Sequence, residues 1–191
     1  PIDFHLLNGV TKGHTSMTGT FFGSCGLAEC ITKTAKQAGW KRKYGKLPPL
    51  KGIGLGIGAM ASGAKGVFKH DTSAAFIKIQ DDGTMSLFIG LPDMGQSSHT
   101  AMAIIAAEVL GAQPADITVI AVDTDVTPLD VGAFTQRGTF NTGNAVKAAC
   151  LDARQQIAVT AAGILGVKPA RLEFRGGMIY PKGEPEKSLL F

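Results

Sequence analysis

Cysteine and aromatic residues are scarce in this sequence. Its 191 residues include three cysteines, one tryptophan and two tyrosines. Cys25, Cys30 and Cys150 form no CxxC pair and stand beside no paired histidine motif, which argues against a disulfide framework and against a zinc site. We therefore expect a protein of a reducing, cytoplasmic environment.

Long apolar runs and dense positive charge are also missing. No run reaches the roughly 18 uninterrupted apolar residues of a membrane helix, and no charged-then-apolar signal opens the chain. The net charge of +4 is modest, and no basic stretch is interleaved with stacking aromatics. We expect neither membrane insertion nor nucleic-acid binding. Because the first residue is Pro1 and not Met, we also expect an internal fragment.

No familiar catalytic constellation is present in the sequence. No Ser, His and Asp arrangement stands in nucleophile context, and no close pair of acids lies beside a histidine. The run Asp123–Asp130 lacks the acidic twelfth position of a calcium loop, so Asp123, Asp125 and Asp130 predict a strand end and a turn. The four histidines are interpreted as surface or capping residues: His5, His14, His70 and His99.

What the sequence does contain is an alternation of helix and strand signals. Helical spacing of apolar residues predicts a helix from Leu27 to Ala38, with Ser24 as its cap and Gly39 as its end. The basic, proline-bearing segment Lys41–Pro49 predicts a solvated connector. Two further helices are predicted at about Ser98–Leu110 and Gly143–Leu165. Strands are predicted at Ser73–Gln80, Thr84–Gly90, Ile117–Val122, Arg171–Arg175 and Met178–Tyr180, with hairpin turns at Asp82-Gly83 and Gly176-Gly177.

A glycine-alternating segment covers Gly52–Gly58. Its GxGxG pattern could belong to a phosphate-binding loop, but that motif needs the full GxGxxG spacing and a helix directly after it. The following stretch, Ala59–Gly66, consists mostly of further small residues. We therefore expect a glycine-faced strand packed under another backbone.

One segment of the chain is echoed later, since Ala106–Ile117 matches Ala161–Leu172 in the order helix, Leu-Gly stop, proline-started turn and strand. The fold class we predict is mixed α+β with this helix–strand internal repeat. We expect 1–191 to form part of one domain, with lobes at 1–90 and 91–191. The repeat also predicts two equivalent helix N-termini.

Those two N-termini are the candidate site. They are preceded by Asp93–Thr100 and by Thr135–Asn144, both rich in glycine, hydroxyl and carboxamide groups. A helix start has unpaired N–H groups and a partial positive charge, so glycines would admit an anionic or polar ligand. Arg137 would add a charged fork for an anion. The alternative is ordinary helix capping, which uses the same residue types.

With these motifs, most of the chain resembles the molybdenum hydroxylase family, which includes xanthine dehydrogenase, aldehyde oxidoreductase and, most similar in our interpretation, the large subunit of 4-hydroxybenzoyl-CoA reductase. The segment Asp93–Thr100 resembles the family's glycine-glutamine-glycine cofactor loop, and Asp123–Val146 resembles the next one. The fold implied is the cofactor-binding domain of the xanthine dehydrogenase and aldehyde oxidase type. Ser97 departs from the usual glycine, and Gln136 from a small serine.

The resemblance implies a set of cofactor-binding residues. Gln96 would point at the oxo or sulfido ligand of molybdenum, and its neighbours would line the pyrophosphate side of the pterin. The second loop would hold the pterin dithiolene or its phosphate. The full set is Gly95, Gln96, Ser97, Ser98, Thr135, Gln136, Arg137, Gly138 and Thr139. The family's catalytic glutamate would lie beyond this sequence, and we do not assign that role to Glu184, so no catalytic residue and no metal ligand is assigned.

The implied parent enzyme binds molybdopterin or molybdopterin cytosine dinucleotide. It moves oxygen or hydroxyl between water and an aromatic, heterocyclic or acyl-CoA substrate. Electrons would pass to iron–sulfur and FAD groups on partner subunits or domains of a multimeric complex, which also includes the remaining parts of the large subunit. The chain alone would be inactive. The competing hypothesis is a non-catalytic fragment or assembly module that holds no cofactor by itself.

Overall fold

The computed structural model describes residues 1–17, 19–60 and 70–191, and the chain forms two compact units, Pro1–Met60 and Ala61–Phe191. The lobes expected at 1–90 and 91–191 stay a prediction, and strands on both sides of residue 90 pair in one sheet. In the part of the chain that the structure describes, no helix combines the length and apolar character needed to cross a bilayer.

The first unit contains three helices, α1 (Ile2–Asn8), α2 (Leu27–Ala38) and α3 (Trp40–Lys43). The prediction of α2 and of its end is confirmed: Gly39 is left-handed, with φ 68°, and its N–H bonds back to the last helical turn. The prediction of Ser24 as the cap is wrong, because the helix begins after Gly26.

The segment predicted to be an aperiodic connector begins with a helical turn. Trp40 is buried in this unit, and its ring stacks on Tyr44 with 4.7 Å between the centroids. This pair, four positions apart, gives the short basic helix α3 an apolar contact that the charge pattern did not reveal.

The prediction of a glycine-faced strand at Gly52–Gly58 is also wrong, since these residues have no regular secondary structure. Alternate glycines provide no side chains to pack and lose more backbone entropy on ordering than other residues do. The small-residue run Ala59–Gly66, which bore on the phosphate-loop alternative, lies outside the described residues from position 61 onward.

The second unit begins with a three-stranded sheet in the order β1 (Ala75–Ile79), β2 (Met85–Ile89) and β3 (Ile117–Ala121). β1 and β2 form the predicted antiparallel hairpin, and Gly83 takes the left-handed position in its turn, with φ 83°. β3 runs parallel to β2, with Met85 opposite Ile117. The strand predictions for this part of the chain are confirmed.

The helices α4 (Ser98–Leu110) and α5 (Gly143–Leu165) pack on this sheet and on each other. A Cβ at Gly143 would lie 3.0 Å from the Ile105 side chain, and Arg154 donates to the Val109 carbonyl at 2.6 Å. The start of α5 therefore lies beside the middle of α4, and the middle of α5 lies beside the end of α4, so the two helices run in the same direction. The shared core is apolar and includes Leu87, Ile89, Leu91, Met102, Ala106, Leu110, Val146 and Cys150.

The predicted repeat is confirmed at the level of local structure. α4 ends at left-handed Gly111 and α5 at left-handed Gly166, and each is followed by a proline-started 3₁₀ turn and a strand. The strands after the two helices belong to different sheets, since β3 joins the first sheet and Leu172–Arg175 joins the second. The second sheet is antiparallel and consists of β4 (Leu172–Arg175), β5 (Met178–Pro181) and β6 (Leu189–Leu190). The mixed α+β fold class is confirmed.

Candidate functional site

The loops that precede α4 and α5 lie at the same end of this parallel helix pair. Leu91 leads from the first sheet into the loop before α4, and a Cβ at Gly138 would lie 3.3 Å from its side chain. His99, in the first turn of α4, contacts the Leu91 carbonyl through Nε2 at 3.0 Å. The structure therefore brings the two predicted loops side by side around Leu91.

The loop before α4 is ordered by its own side chains. The Gln96 amide donates to the Pro92 carbonyl at 3.0 Å and accepts from the Met94 N–H at 2.6 Å. Ser98 also donates to Pro92, at 3.1 Å, and is buried. The amide that the resemblance directs toward molybdenum is thus folded back onto its own loop.

The same loop contains two left-handed residues in a row of three. Gly95 has φ 101°, and Ser97 has φ 58° directly before the helix. A Cβ at Gly95 would meet no atom of the described residues within 4 Å. Glycine suits such a position because it adopts positive φ without steric cost and leaves the backbone open to close approach. The loop therefore offers an uncovered stretch of backbone at Gly95.

Asp93 is a capping residue of this loop that sequence analysis did not single out. Its carboxylate accepts from the Gly95 N–H at 2.8 Å and from the His99 N–H at 3.4 Å. The hydrogen bond from Gly95, the largest cause, holds the pKa of Asp93 below its usual value. A carboxylate of the chain itself thus complements the positive end of α4. The signal was an aspartate two residues before a turn glycine.

The loop before α5 contains two consecutive left-handed residues that are not glycine. Thr135 has φ 48° and Gln136 has φ 57°. Such a conformation is rare for a β-branched residue and costs about 1–2 kcal/mol per residue. Beyond these residues the chain enters a π-helical stretch, Gly138–Thr142, that leads directly into α5. This wider turn was not predicted, and it starts inside the segment expected to be a loop.

The hydroxyl of Thr135 is buried and has no hydrogen-bond partner among the residues that the structure describes. A buried polar atom left in this state costs about 1–3 kcal/mol, so it is an unusual feature of a folded chain. Neighbouring Gln136 and Thr139 are exposed, and Gly138 is half-buried. The loop therefore places one unsatisfied oxygen among accessible polar residues.

Arg137 is fully buried, although the sequence suggested an anion-binding fork. Its side chain is 0% exposed, as is that of Asp130, while Asp71 is 24% exposed. A guanidinium has five N–H donors, and each of the five here has an acceptor within the chain. The acceptors are Asp71 Oδ1 at 2.6 Å, Asp130 Oδ1, the Gly132 carbonyl at 2.7 Å, the Thr72 carbonyl at 2.7 Å and Ser73 Oγ at 2.8 Å. The fork is directed at carboxylates of the protein itself.

Asp130 is held in its ionised form by the same cluster. Burial alone would raise its pKa, but hydrogen bonds from Ser73, Gly132, Thr142 and Arg137 outweigh burial, so the pKa lies below its usual value. For Arg137, burial opposes the charge, and the two carboxylates more than offset it, so its pKa is raised. Both members of the pair are therefore charged throughout the physiological pH range.

Most of this cluster was not evident from the sequence. The turn roles predicted for Asp123 and Asp130 are confirmed by their bonds to the N–H groups of Asp125 and Gly132. The burial of Asp130 and the participation of Asp71 were not foreseen, since nothing local marks a contact 66 positions apart. Among the described residues, no group of three or more His, Cys, Asp or Glu could hold a metal ion.

Two cavities lie elsewhere in the second unit, beside β1 and α5. The larger, of about 460 Å³, is lined by Phe76, Ile77 and Ala153 among others, and neither cavity includes residues of the two loops. Glu184, to which no catalytic role was assigned, pairs with Lys187 on the surface.

Comparison with known proteins gives one family and consistent relatives. Residues 30–190 match the family model of the molybdopterin cofactor-binding domain. The xanthine dehydrogenase molybdenum-binding subunit of Escherichia coli O157:H7 is 29% identical over 199 residues, which cover 100% of this chain and 26% of that protein. The carbon monoxide dehydrogenase large chain of Afipia carboxidovorans is 30% identical, over 80% of this chain and 19% of that protein.

Solved structures show the same fold. Quinoline 2-oxidoreductase from Pseudomonas putida 86 superposes with a TM-score of 0.62 at 21% identity, over 85% of this chain and 21% of that one. A Cu,Mo-CO dehydrogenase superposes with a TM-score of 0.61 at 24% identity, over 99% of this chain and 26% of that one. The chain thus spans about a fifth to a quarter of the length of these relatives.

Proposed function

The chain belongs to the molybdopterin cofactor-binding domain family, and from this premise we propose that its two helix-start loops hold the pterin of a molybdenum-dependent oxidoreductase. The activity, substrates and partners of the whole protein are inferred from relatives, and this chain spans about a quarter of such a relative. The substrate class that we propose is aromatic, heterocyclic or aromatic acyl-CoA, following the resemblance to 4-hydroxybenzoyl-CoA reductase.

The observation that carries the proposal is the unsatisfied hydroxyl of Thr135. A buried oxygen without a partner is a costly feature unless a ligand completes its hydrogen bonding. Strained backbone conformations at Thr135 and Gln136 are typical of ligand clamps, where strain is retained for a function. The open backbone at Gly95 offers a second point of approach, on the neighbouring loop.

The residues that would hold the cofactor are polar or lack a side chain, which suits a phosphorylated pterin with many hydrogen-bonding atoms. Gly95 and Gly138 would admit the ligand to the backbone, and Thr135 would supply its free hydroxyl. Gln96 would contact the ligand after turning its amide away from Pro92. The loop residues that would line the ligand are Gly95, Gln96, Ser97, Ser98, Thr135, Gln136, Gly138 and Thr139, whereas the guanidinium of Arg137 is occupied by partners within the chain.

The bound cofactor, molybdopterin or its cytosine dinucleotide, would supply the two-electron chemistry that moves oxygen between water and substrate. This chain's residues would bind and orient the pterin. Since none of them is assigned as a general base or acid, turnover would require the rest of the large subunit. Electrons would leave to iron–sulfur and flavin groups on partner subunits, a proposal supported by relatives named as a molybdenum-binding subunit and a large chain.

The alternative is a non-catalytic module that holds no cofactor. One observation favours this alternative: the Gln96 and Asp93 side chains already form hydrogen bonds with backbone groups of their own loop, as ordinary capping residues do. The two functions differ in what the natural full-length protein contains after purification, namely molybdenum and pterin or neither.

Replacement of one hydroxyl tests the proposal. Thr135→Val keeps the shape of the side chain and removes the unsatisfied oxygen, so the cofactor-free protein should be as stable as the parent or more stable by about 1 kcal/mol. The same change should lower the pterin and molybdenum content of the full-length protein. Thr135→Ser, which keeps the hydroxyl, is the matched control and should retain most of the content. Equal content in all three proteins, or none in the parent, would contradict the proposed role.

A further inference from the structure

The buried Arg137 ties together three segments that are distant in sequence. These are the residues just before β1, the turn around Asp130 and the loop that leads into α5. A charged side chain that is 0% exposed is stable only when its partners replace the lost water, and here each of its five N–H groups has such a partner. No donor of the guanidinium is left over for a ligand.

Neighbouring side chains reinforce the same three-way junction. Asn141 donates to Asp71 Oδ1 at 2.6 Å, and Thr142 donates to Asp130 Oδ2 at 2.8 Å. Ser73 and Asp130 also form an isolated β-bridge. Each carboxylate is therefore shared between Arg137 and a side chain of the π-helical stretch that leads into α5. One connected set of hydrogen bonds links Asp71, Arg137, Asp130 and Thr142.

The junction adjoins the strained part of the candidate site. Thr135 and Gln136, both left-handed, immediately precede Arg137, whose own N–H bonds to the Phe134 carbonyl at 3.0 Å. Two residues in a disfavoured conformation persist only where surrounding contacts over-determine them. The hydrogen bonds of the Arg137 guanidinium supply such contacts. The π-helical stretch Gly138–Thr142, which follows Arg137 directly, holds the other end of the loop.

We propose that Arg137 is a positioning residue, which with Asp71 and Asp130 holds the loop Thr135–Thr139 in its ligand-binding conformation and does not itself contact the anion. The identity of the ligand rests on the proposed function. Asp71 thereby becomes part of the support of the site, although it lies 66 positions upstream and before β1.

Neutralising Asp71 distinguishes this role from direct anion binding, because the two roles predict opposite changes in cofactor retention. If Arg137 bound a phosphate, Asp71→Asn would remove a competing negative charge and raise cofactor retention. If Arg137 positions the loop, the weaker neutral hydrogen bond loosens Thr135–Thr139 and lowers retention. Asp71 is 24% exposed, so its neutralisation is compatible with folding. Asp81→Asn, at the exposed hairpin turn, removes the same charge and is the matched control.

The experiment measures molybdenum and pterin per subunit in the natural full-length protein, and hydrogen exchange of the loop amides in its cofactor-free form. We expect Asp71→Asn to hold several-fold less cofactor than the parent, with faster exchange at 132–139, while Asp81→Asn changes neither. Arg137→Lys, which keeps the charge but not the planar fork, should lose as much cofactor as Arg137→Met.

The failures of the two proposals are distinguishable. Unchanged or higher cofactor content in Asp71→Asn, or a clear rescue by Arg137→Lys over Arg137→Met, would overturn the positioning role while leaving the proposed function intact. A parent protein without cofactor would remove the proposed function. In that case faster loop exchange in Asp71→Asn would still support the positioning of the loop, and unchanged exchange would overturn it.

Discussion

The Nε–H of Arg137 donates to the Asp71 carboxylate at 2.6 Å, although the two residues are 66 positions apart. Asp71 precedes β1 and Arg137 precedes α5, so their pairing holds the start of β1 close to the start of α5. The candidate loop lies directly beside this contact. The strength of the pairing therefore affects both the stability of the fold and the shape of the site.

Acid should weaken this cluster through Asp130. Its pKa is lower in the folded protein than in the unfolded chain, where it is about 3.9. The group therefore stabilises the fold fully above pH of about 4, and this contribution is lost as the pH falls through the lower, folded value. Asp130→Asn should destabilise the protein by about 1–3 kcal/mol near neutral pH, because it weakens the hydrogen bonds to Arg137 while Asp71 still compensates the buried charge.

Urea unfolding of the parent and of Asp130→Asn between pH 7 and pH 3 measures this effect. The parent should lose stability steeply at the acid end, and the variant should show a shallower dependence there. Asp81→Asn, at an exposed position, controls for the loss of one negative charge. Parallel curves for the parent and Asp130→Asn would show that Asp130 does not contribute to the acid dependence.

The local architecture could be predicted well from the sequence because its signals are local. Apolar spacing gave α4 at Ser98–Leu110 and α5 at Gly143–Leu165, and Gly111 and Gly166 marked the ends of both. Hydrophobic periodicity and helix-ending glycines act within a few residues, so they can be recognised in the sequence without knowledge of the tertiary structure.

The contacts that build the site could not be predicted in the same way. The Arg137 cluster depends on how β1, the Asp130 turn and α5 meet, and no local pattern encodes that meeting. The prediction of a strand at Gly52–Gly58 was wrong for a related reason. Its alternation satisfies the period of a strand, but a strand forms only where a partner and side chains stabilise it.

The two helix-ending glycines of the repeat should tolerate substitution differently. A Cβ at Gly111 would overlap the backbone carbonyl of Phe174, whereas one at Gly166 meets no described atom within 4 Å. Both have positive φ, so alanine costs about 1–2 kcal/mol in either position from strain alone. Gly166→Ala should show about that loss, and Gly111→Ala should lose clearly more, because backbone must move.

Thermal or urea unfolding of the two variants distinguishes them. Since the local sequence and cap geometry are equivalent, each variant is the control for the other. Equal destabilisation would mean that the packing of Gly111 against β4 does not constrain the fold.

The buried thiol of Cys150 should be unreactive in the folded protein. Burial raises its pKa to about 11, and the residue is 0% exposed in the core between α4, α5 and the first sheet. Cys30, in contrast, is exposed on α2. Iodoacetamide at pH 8 followed by peptide mass spectrometry should show modification of Cys30 and not of Cys150. Addition of denaturant should make both react, and labelling of Cys150 at a rate comparable to Cys30 in native buffer would be inconsistent with this core.

The most direct test of a shared site is hydrogen exchange of the natural full-length protein with and without its molybdenum cofactor, followed at both loops. The account predicts that Gly95–Ser98 and Thr135–Thr139 become protected together when the cofactor is bound. Protection of only one loop, or of neither in a protein that retains cofactor, would contradict a common binding site at the starts of α4 and α5.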